Sequence, residues 1–144
     1  MDRLMWRAAL FVVLCVAAAG CSSDNTSSTT PSTLPTTITE TFAGTLSRNG
    51  AVSYSFTILA SGTVTATLTG LDGDAPPRIG LGLGTYDTNQ TACSPSNGKF
   101  NDSATKSTSV AVSALSAGTL CVRVYDSTGT LDGPVDYEVS VVHP

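Results

Sequence analysis

The sequence predicts an all-β fold: an antiparallel two-sheet β-sandwich, jelly-roll-like, of seven or eight strands. Three observations carry that prediction. Ser and Thr supply 40 of the 144 residues, and these residues favour strands, turns and caps over helix interiors. From Ile38 onward, apolar and polar residues alternate with a period of two in one short run after another. Clusters of Gly, Pro, Asp and Asn separate the runs, as turns require. With 41% hydrophobic residues, a chain of 144 supports one modest core rather than two.

The elements follow in order along residues 38–144. Thr41 to Leu46 forms the first strand. Val52, Tyr54, Phe56 and Ile58 alternate with Ser53, Ser55 and Thr57, which puts the larger side chains on one buried face. Val64, Ala66 and Leu68 repeat the pattern, with Thr63, Thr65, Thr67 and Thr69 facing solvent. Ser61-Gly62 between these two runs reads as a tight hairpin turn. Ile79, Leu81 and Leu83 alternate with Gly80, Gly82 and Gly84, so the second face of that strand is bare and another segment can lie closely over it. Further strands are expected at Val110 and Val112, at Leu120, Val122 and Val124, and at Tyr137, Val139 and Val141. Residues 85–98 show no alternation and read as a long loop, the kind of segment in which recognition residues concentrate.

Ahead of this domain, residues 1–20 have the pattern of an export signal. Arg3 and Arg7 precede an apolar run from Ala8 to Ala19, which is shorter than the roughly 20 residues a membrane-spanning helix needs. Ala18-Ala19-Gly20-Cys21 resembles the lipobox of bacterial lipoproteins. That resemblance implies cleavage before Cys21 and attachment of lipid, with palmitate as an expected acyl chain, to its sulfur. The alternative is an ordinary cleavage site followed by an incidental Cys. Ser22, in place of Asp, resembles the sorting signal for the outer membrane, facing either the periplasm or the cell surface. Residues 21–37 then form a linker of Ser, Thr and Pro with little to bury. Residues 22–37 can extend to at most about 55 Å.

Without residues 1–20, five basic and ten acidic side chains remain, a net charge of -5. The basic residues are few and scattered, which removes the electrostatic basis for nucleic-acid binding. Cys15 leaves with the leader and Cys21 takes lipid, so Cys93 and Cys121 are left in an oxidising compartment and are expected to form a disulfide. The competing reading, a metal site on two Cys, needs further ligands. Cys121 is out of phase with Leu120, Val122 and Val124, and therefore shares the opposite face with Arg123 and Tyr125.

Gly118-Thr119-Leu120-Cys121-Val122-Arg123-Val124-Tyr125-Asp126 and Asp136-Tyr137-Glu138-Val139-Ser140-Val141 resemble the last two strands of the bacterial pre-peptidase C-terminal domain family. Residues 44–70, with Tyr54-x-Phe56, fit its opening strands. The resemblance implies a β-sandwich accessory domain of the kind appended to secreted proteases and other exported enzymes, some of which bind collagen or polysaccharide and some of which bind calcium. The Asp-rich segment ahead of the family's middle strand is replaced here by Pro76-Pro77-Arg78-Ile79.

No catalytic constellation emerges from the spacing. The domain's one His, His143, is next to the last residue, where it is expected to be mobile and far from any Ser nucleophile. Asp72 and Asp74 flank Gly73 in a turn, and Gly80-x-Gly82-x-Gly84 opens no helix that could hold a phosphate. Two readings of the turn carboxylates remain open. Asp72, Asp74, Asp126 and Asp136, with Asp87 and Asp132, are oxygen ligands that could hold Ca2+, or they simply form Asx-turns. The best candidates for ligand binding are Tyr86, Asp87, Asn89 and Gln90 in the 85–98 loop, with Tyr125 on the same face. The expected function is that of a noncatalytic, membrane-anchored envelope module that binds a glycan, a peptide or matrix. The alternative is a structural lipoprotein that binds another envelope protein.

Overall fold

A computed structural model of the chain describes residues 36–73 and 77–144, with the side chains of 96–98 excepted. The expected leader, Cys21 and nearly all of the expected linker therefore lie outside the described residues, as does Asp74. The described chain is all β. Its eight strands are β1 (Ile38–Leu46), β2 (Ala51–Ile58), β3 (Gly62–Leu71), β4 (Ile79–Asp87), β5 (Ala92–Ala104), β6 (Ser109–Ala114), β7 (Gly118–Tyr125) and β8 (Val135–His143).

They form two antiparallel four-stranded sheets, one in the order β1-β8-β3-β6 and the other β2-β7-β4-β5. Early and late strands interleave in both sheets, the arrangement of a jelly roll. Consecutive strands mostly change sheets, so Ser61-Gly62 is no hairpin. Ile58 pairs with Gly118 in one sheet while Gly62 pairs with Ala114 in the other, and residues 59–61 cross between them. The expected turn residues are present, but β3 finds a better partner in β8 and β6 than in β2.

The alternation settles which face of each strand is buried. Val64, Ala66 and Leu68 of β3, Ile79, Leu81 and Leu83 of β4, Val122 and Val124 of β7, and Tyr137, Val139 and Val141 of β8 meet Phe56 and Ile58 of β2 in one core. Phe42 and Tyr54 close its β1–β2 side, their rings stacked at 4.9 Å. The Tyr54 hydroxyl donates to the Ala43 carbonyl at 3.0 Å, which leaves the Tyr137 hydroxyl, 2.9 Å away, as donor to Tyr54. Gly44 leaves room for both phenols, since a Cβ there would lie 2.7 Å from one and 2.9 Å from the other. Burial and the bond to Tyr54 push the Tyr137 phenol above its ordinary pKa.

His143 is not mobile. It is 1% exposed, stacked on Phe56 at 5.2 Å, with Nε2 2.9 Å from a Glu40 carboxylate oxygen. Its place at the end of β8, paired with Ile38, draws it into the core.

The 85–98 segment differs from the expectation as well. It contains the end of β4, the turn at 88–91 and the start of β5, and so is a hairpin rather than a long loop. β5 hides from the sequence because Pro95, Asn97 and Gly98 break its alternation. Its register with β4 breaks twice: residues 96–99 bulge between the Gly84–Pro95 and Gly82–Phe100 pairs, and one further residue is inserted between the Leu81–Asn101 and Ile79–Ala104 pairs.

The connections sort by end. At one end lie 59–61, 88–91 and 115–117, together with the start of β1 and the finish of β8. At the other lie 47–50, 72–73, 77–78, 105–108 and 126–134.

Candidate functional site

The most constrained surface is the outer face of β7-β4-β5. Gly80, Gly82 and Gly84 form a bare track along the middle strand, and groups from both neighbours close over it. At one end Cys121 of β7 and Cys93 of β5 are joined in a disulfide, with their Cα atoms 5.7 Å apart. Strands two places apart in a sheet would otherwise be separated by about 9.6 Å, so β5 must climb over β4 here. A Cβ on Gly84 would lie 1.9 Å from the Ser94 carbonyl oxygen, and no side chain fits. At the other end the Tyr125 ring covers Gly80, where a Cβ would come within 2.3 Å of it. The Tyr125 hydroxyl reaches across to donate to Asp102 of β5 at 2.5 Å. Between the two bridges, Pro95 and Phe100 sit over Gly82.

β7 is thus fastened to β5 twice across β4, once covalently and once by a hydrogen bond. Cys121, Arg123 and Tyr125 share this face as the alternation implies. The Arg123 guanidinium lies 5.3 Å from the centre of the Tyr125 ring. Burial and the hydrogen bond to Asp102, whose charge adds to the effect, push the Tyr125 phenol up to about 12.

The candidate ligand residues do not converge. Tyr86 stands six residues beyond Gly80 on β4, so Tyr86 and Tyr125 are about 20 Å apart along the strand. The Asp87 carboxylate is occupied by its own turn, accepting the backbone N–H groups of Asn89 at 2.8 Å and Gln90 at 3.3 Å. Tyr125 is committed to Gly80 and Asp102.

The acidic candidates divide similarly. Asp126 accepts backbone N–H groups from Asn49 at 3.0 Å and Gly129 at 2.9 Å, tying the β1–β2 connection to the β7–β8 connection. Its partial burial alone would raise its pKa. Hydrogen bonds from the N–H groups of Asn49, Gly129, Thr128 and Leu131 outweigh that effect and hold the carboxyl below its usual range. Asp72 and Asp136 do meet: the Asp72 N–H donates to the Asp136 carbonyl at 3.0 Å. With Ala43, Gly70, Tyr137 and Glu138 they line a shallow depression of about 250 Å³. Thr45 donates to Asp136 at 2.5 Å, and Thr69 donates to Glu138 at 2.8 Å. Among the described residues, no group of three or more His, Cys, Asp and Glu is placed to hold a metal ion.

That depression opens onto the outer face of β1-β8-β3-β6, the face that alternation assigns to solvent. The registers align its side chains into rows. Thr41, Ser140, Thr67 and Ser109 form one row across all four strands, and Thr67 and Ser109 are hydrogen-bonded at 2.8 Å. Thr39, Val142, Thr65 and Ala111 form the next. Each strand shows the alternation that builds this face, but its rows depend on pairings between residues as distant in sequence as Thr39 and Val142.

No family model matches the chain, and no curated protein matches it either.

Proposed function

We propose that this chain is an exported lipoprotein of a bacterial envelope, anchored through Cys21, and that its sandwich is a noncatalytic glycan-binding module. The disulfide supports export, since such bonds persist in oxidising compartments. A noncatalytic role agrees with His143, whose ring nitrogens face Glu40 and the Pro144 carbonyl rather than a nucleophile.

The observation that carries the binding reading is the hydroxyl row Thr41, Ser140, Thr67 and Ser109 on a broad sheet face. Beside it are three carboxylates, Asp72, Asp136 and Glu138. Hydroxyls and carboxylates in fixed rows offer donors and acceptors at repeated spacings, which suits the repeated hydroxyls of a polysaccharide.

Cosedimentation of the mature, oxidised protein with insoluble polysaccharides, peptidoglycan and collagen, with and without calcium, tests this reading. Saturable binding to a polysaccharide is expected. Thr67→Arg and Glu138→Gln should abolish it, and Tyr86→Ala should leave it intact. Binding to collagen alone would replace the glycan with a protein ligand.

Binding to none of them would favour a structural role, in which another envelope protein adds a strand to the sheet. One observation supports that second reading. The β1 edge is blunted by Tyr54 on the Ala43 carbonyl, whereas β6, at the far edge, pairs only with β3.

A further inference from the structure

The two ends of the sandwich differ in chemistry. At one end, every connection carries charge: Arg48 in 47–50, Asp72 in 72–73, Arg78 in 77–78, Lys106 in 105–108, and Asp126 and Asp132 in 126–134. At the other end, Leu59-Ala60-Ser61, Thr88-Asn89-Gln90-Thr91 and Leu115-Ser116-Ala117 contain no charged residue. The nearest charged side chains there, Glu40 and Asp87, belong to strands and are held by His143 and by the 88–91 turn.

The uncharged end also displays the two most exposed large apolar side chains described, Leu59 at 71% and Leu115 at 93%. They stand on adjacent crossings, Leu59 next to the end of β2 and Leu115 next to the end of β6. Ile58 pairs with Gly118 and Gly62 pairs with Ala114, so residues 59–61 and 115–117 cross between the sheets side by side in opposite directions. Leu59 is fixed further by its N–H, which donates to the Pro144 carbonyl at 3.3 Å. A single exposed Leu is ordinary, but a pair on adjacent uncharged crossings is not spent on the fold.

This is the end at which the chain arrives from Cys21. Thr36 and Thr37 lead directly into β1, whose first residue, Ile38, pairs with His143. We infer that this end seats on the membrane to which Cys21 is tethered, with Leu59 and Leu115 entering the lipid interface as two shallow wedges. The inference rests on the proposed anchor. The partner is a lipid surface of low charge, because no cation at this end selects anionic headgroups. Seating there would turn the opposite, charged end outward and hold both sheet faces roughly perpendicular to the bilayer. A tether alone would leave the orientation free.

Trp reports the contact directly, since Trp6 is the only Trp in the sequence and it lies in the leader. Mature Leu115→Trp and Lys106→Trp proteins would be placed in phosphatidylcholine vesicles with and without brominated acyl chains. The expected result is a blue-shifted Leu115→Trp emission that loses most of its intensity to bromine, with neither effect for Lys106→Trp. Adding Leu59→Asp to Leu115→Trp should reverse both changes. Solvent-like emission from Leu115→Trp in protein that floats with the vesicles would overturn the seating while sparing the anchor. A blue shift without quenching by bromine would overturn it too, because the tip would then be covered by a second copy. Protein that neither floats nor carries an acyl group on Cys21 would overturn the anchor, and this inference with it.

Discussion

Cys93 and Cys121 lie on strands that are not hydrogen-bonded neighbours, and their disulfide draws β5 over the strand between them, so that the Ser94 backbone covers Gly84. The bond closes a span of 28 positions that contains all of β5 but its first residue, the whole of β6 and the start of β7. On the chain-entropy argument, replacing both Cys with Ser should lower stability by about 3–4 kcal/mol. Urea unfolding of the double variant against the oxidised parent measures this. Equal midpoints and equal slopes would show that the bond adds nothing.

Gly84 should be the least replaceable glycine of its strand. In Gly84→Ala the new methyl meets the Ser94 backbone, which the disulfide prevents from retreating. The expected loss is about 3 kcal/mol or more. Gly118, also in a strand, has nothing within 4 Å of an added Cβ. Gly118→Ala should therefore be neutral or slightly stabilising. Thermal melts of the two variants check the contrast, and a Gly84→Ala protein as stable as Gly118→Ala would contradict the close crossing.

Tyr125 gives the fold an alkaline limit. Its phenol is raised from 10.0 to about 12, so the folded state holds this proton more tightly than the unfolded state does. The resulting stabilisation is fully present below pH 10 and is lost as pH rises towards 12. In an absorbance titration of phenolate, Tyr125→Phe should remove a step near pH 12. The same variant should also show a smaller loss of stability between pH 10 and 12 than the parent. An unchanged titration would mean that the Asp102 contact does not persist in solution.

Asp126 acts in the opposite direction. Its carboxyl is lowered in the folded state, so its contribution is present above the ordinary carboxylate pKa and disappears as pH falls through the folded value. Asp126→Ala should cost about 1–2 kcal/mol at neutral pH through the lost Asn49 and Gly129 bonds, and should flatten the stability profile on the acid side. Stability measured from pH 7 to pH 3 in parent and variant tests both parts.

The last β-strand is anchored by its final side chains. His143→Ala removes a buried ring stacked on Phe56 and leaves Glu40 without its partner. A loss of about 2–3 kcal/mol is expected. Calorimetry that found no change would mean that the end of β8 frays.

The sandwich was legible because alternation of period two marks a strand wherever one face meets a core, as in 52–58, 64–68 and 120–124. The bare glycine face of β4 was legible for the same reason, and so was the phase that set Cys121 apart from Val122. β5 was not, because it is an edge strand held by a disulfide and a bulge rather than by its own pattern. The separation of Tyr86 from Tyr125 could not be seen either. Both occupy the outward phase, but their positions along β4 depend on a register that only the paired strands define. The hydroxyl rows and the adjacency of the crossings that carry Leu59 and Leu115 are likewise products of register, invisible in any one strand. His143 was misjudged because proximity to the chain's end says nothing about what the last strand is paired with.

Mass spectrometry of the mature protein purified from the membrane fraction of the cells that make it tests the central claim most directly. The account predicts an N-terminal Cys21 carrying a diacylglycerol thioether, and a Cys93–Cys121 disulfide in the same molecule. A chain that retains residues 1–20, or one that begins elsewhere with Cys21 unmodified and Cys93 and Cys121 as free thiols, would contradict it.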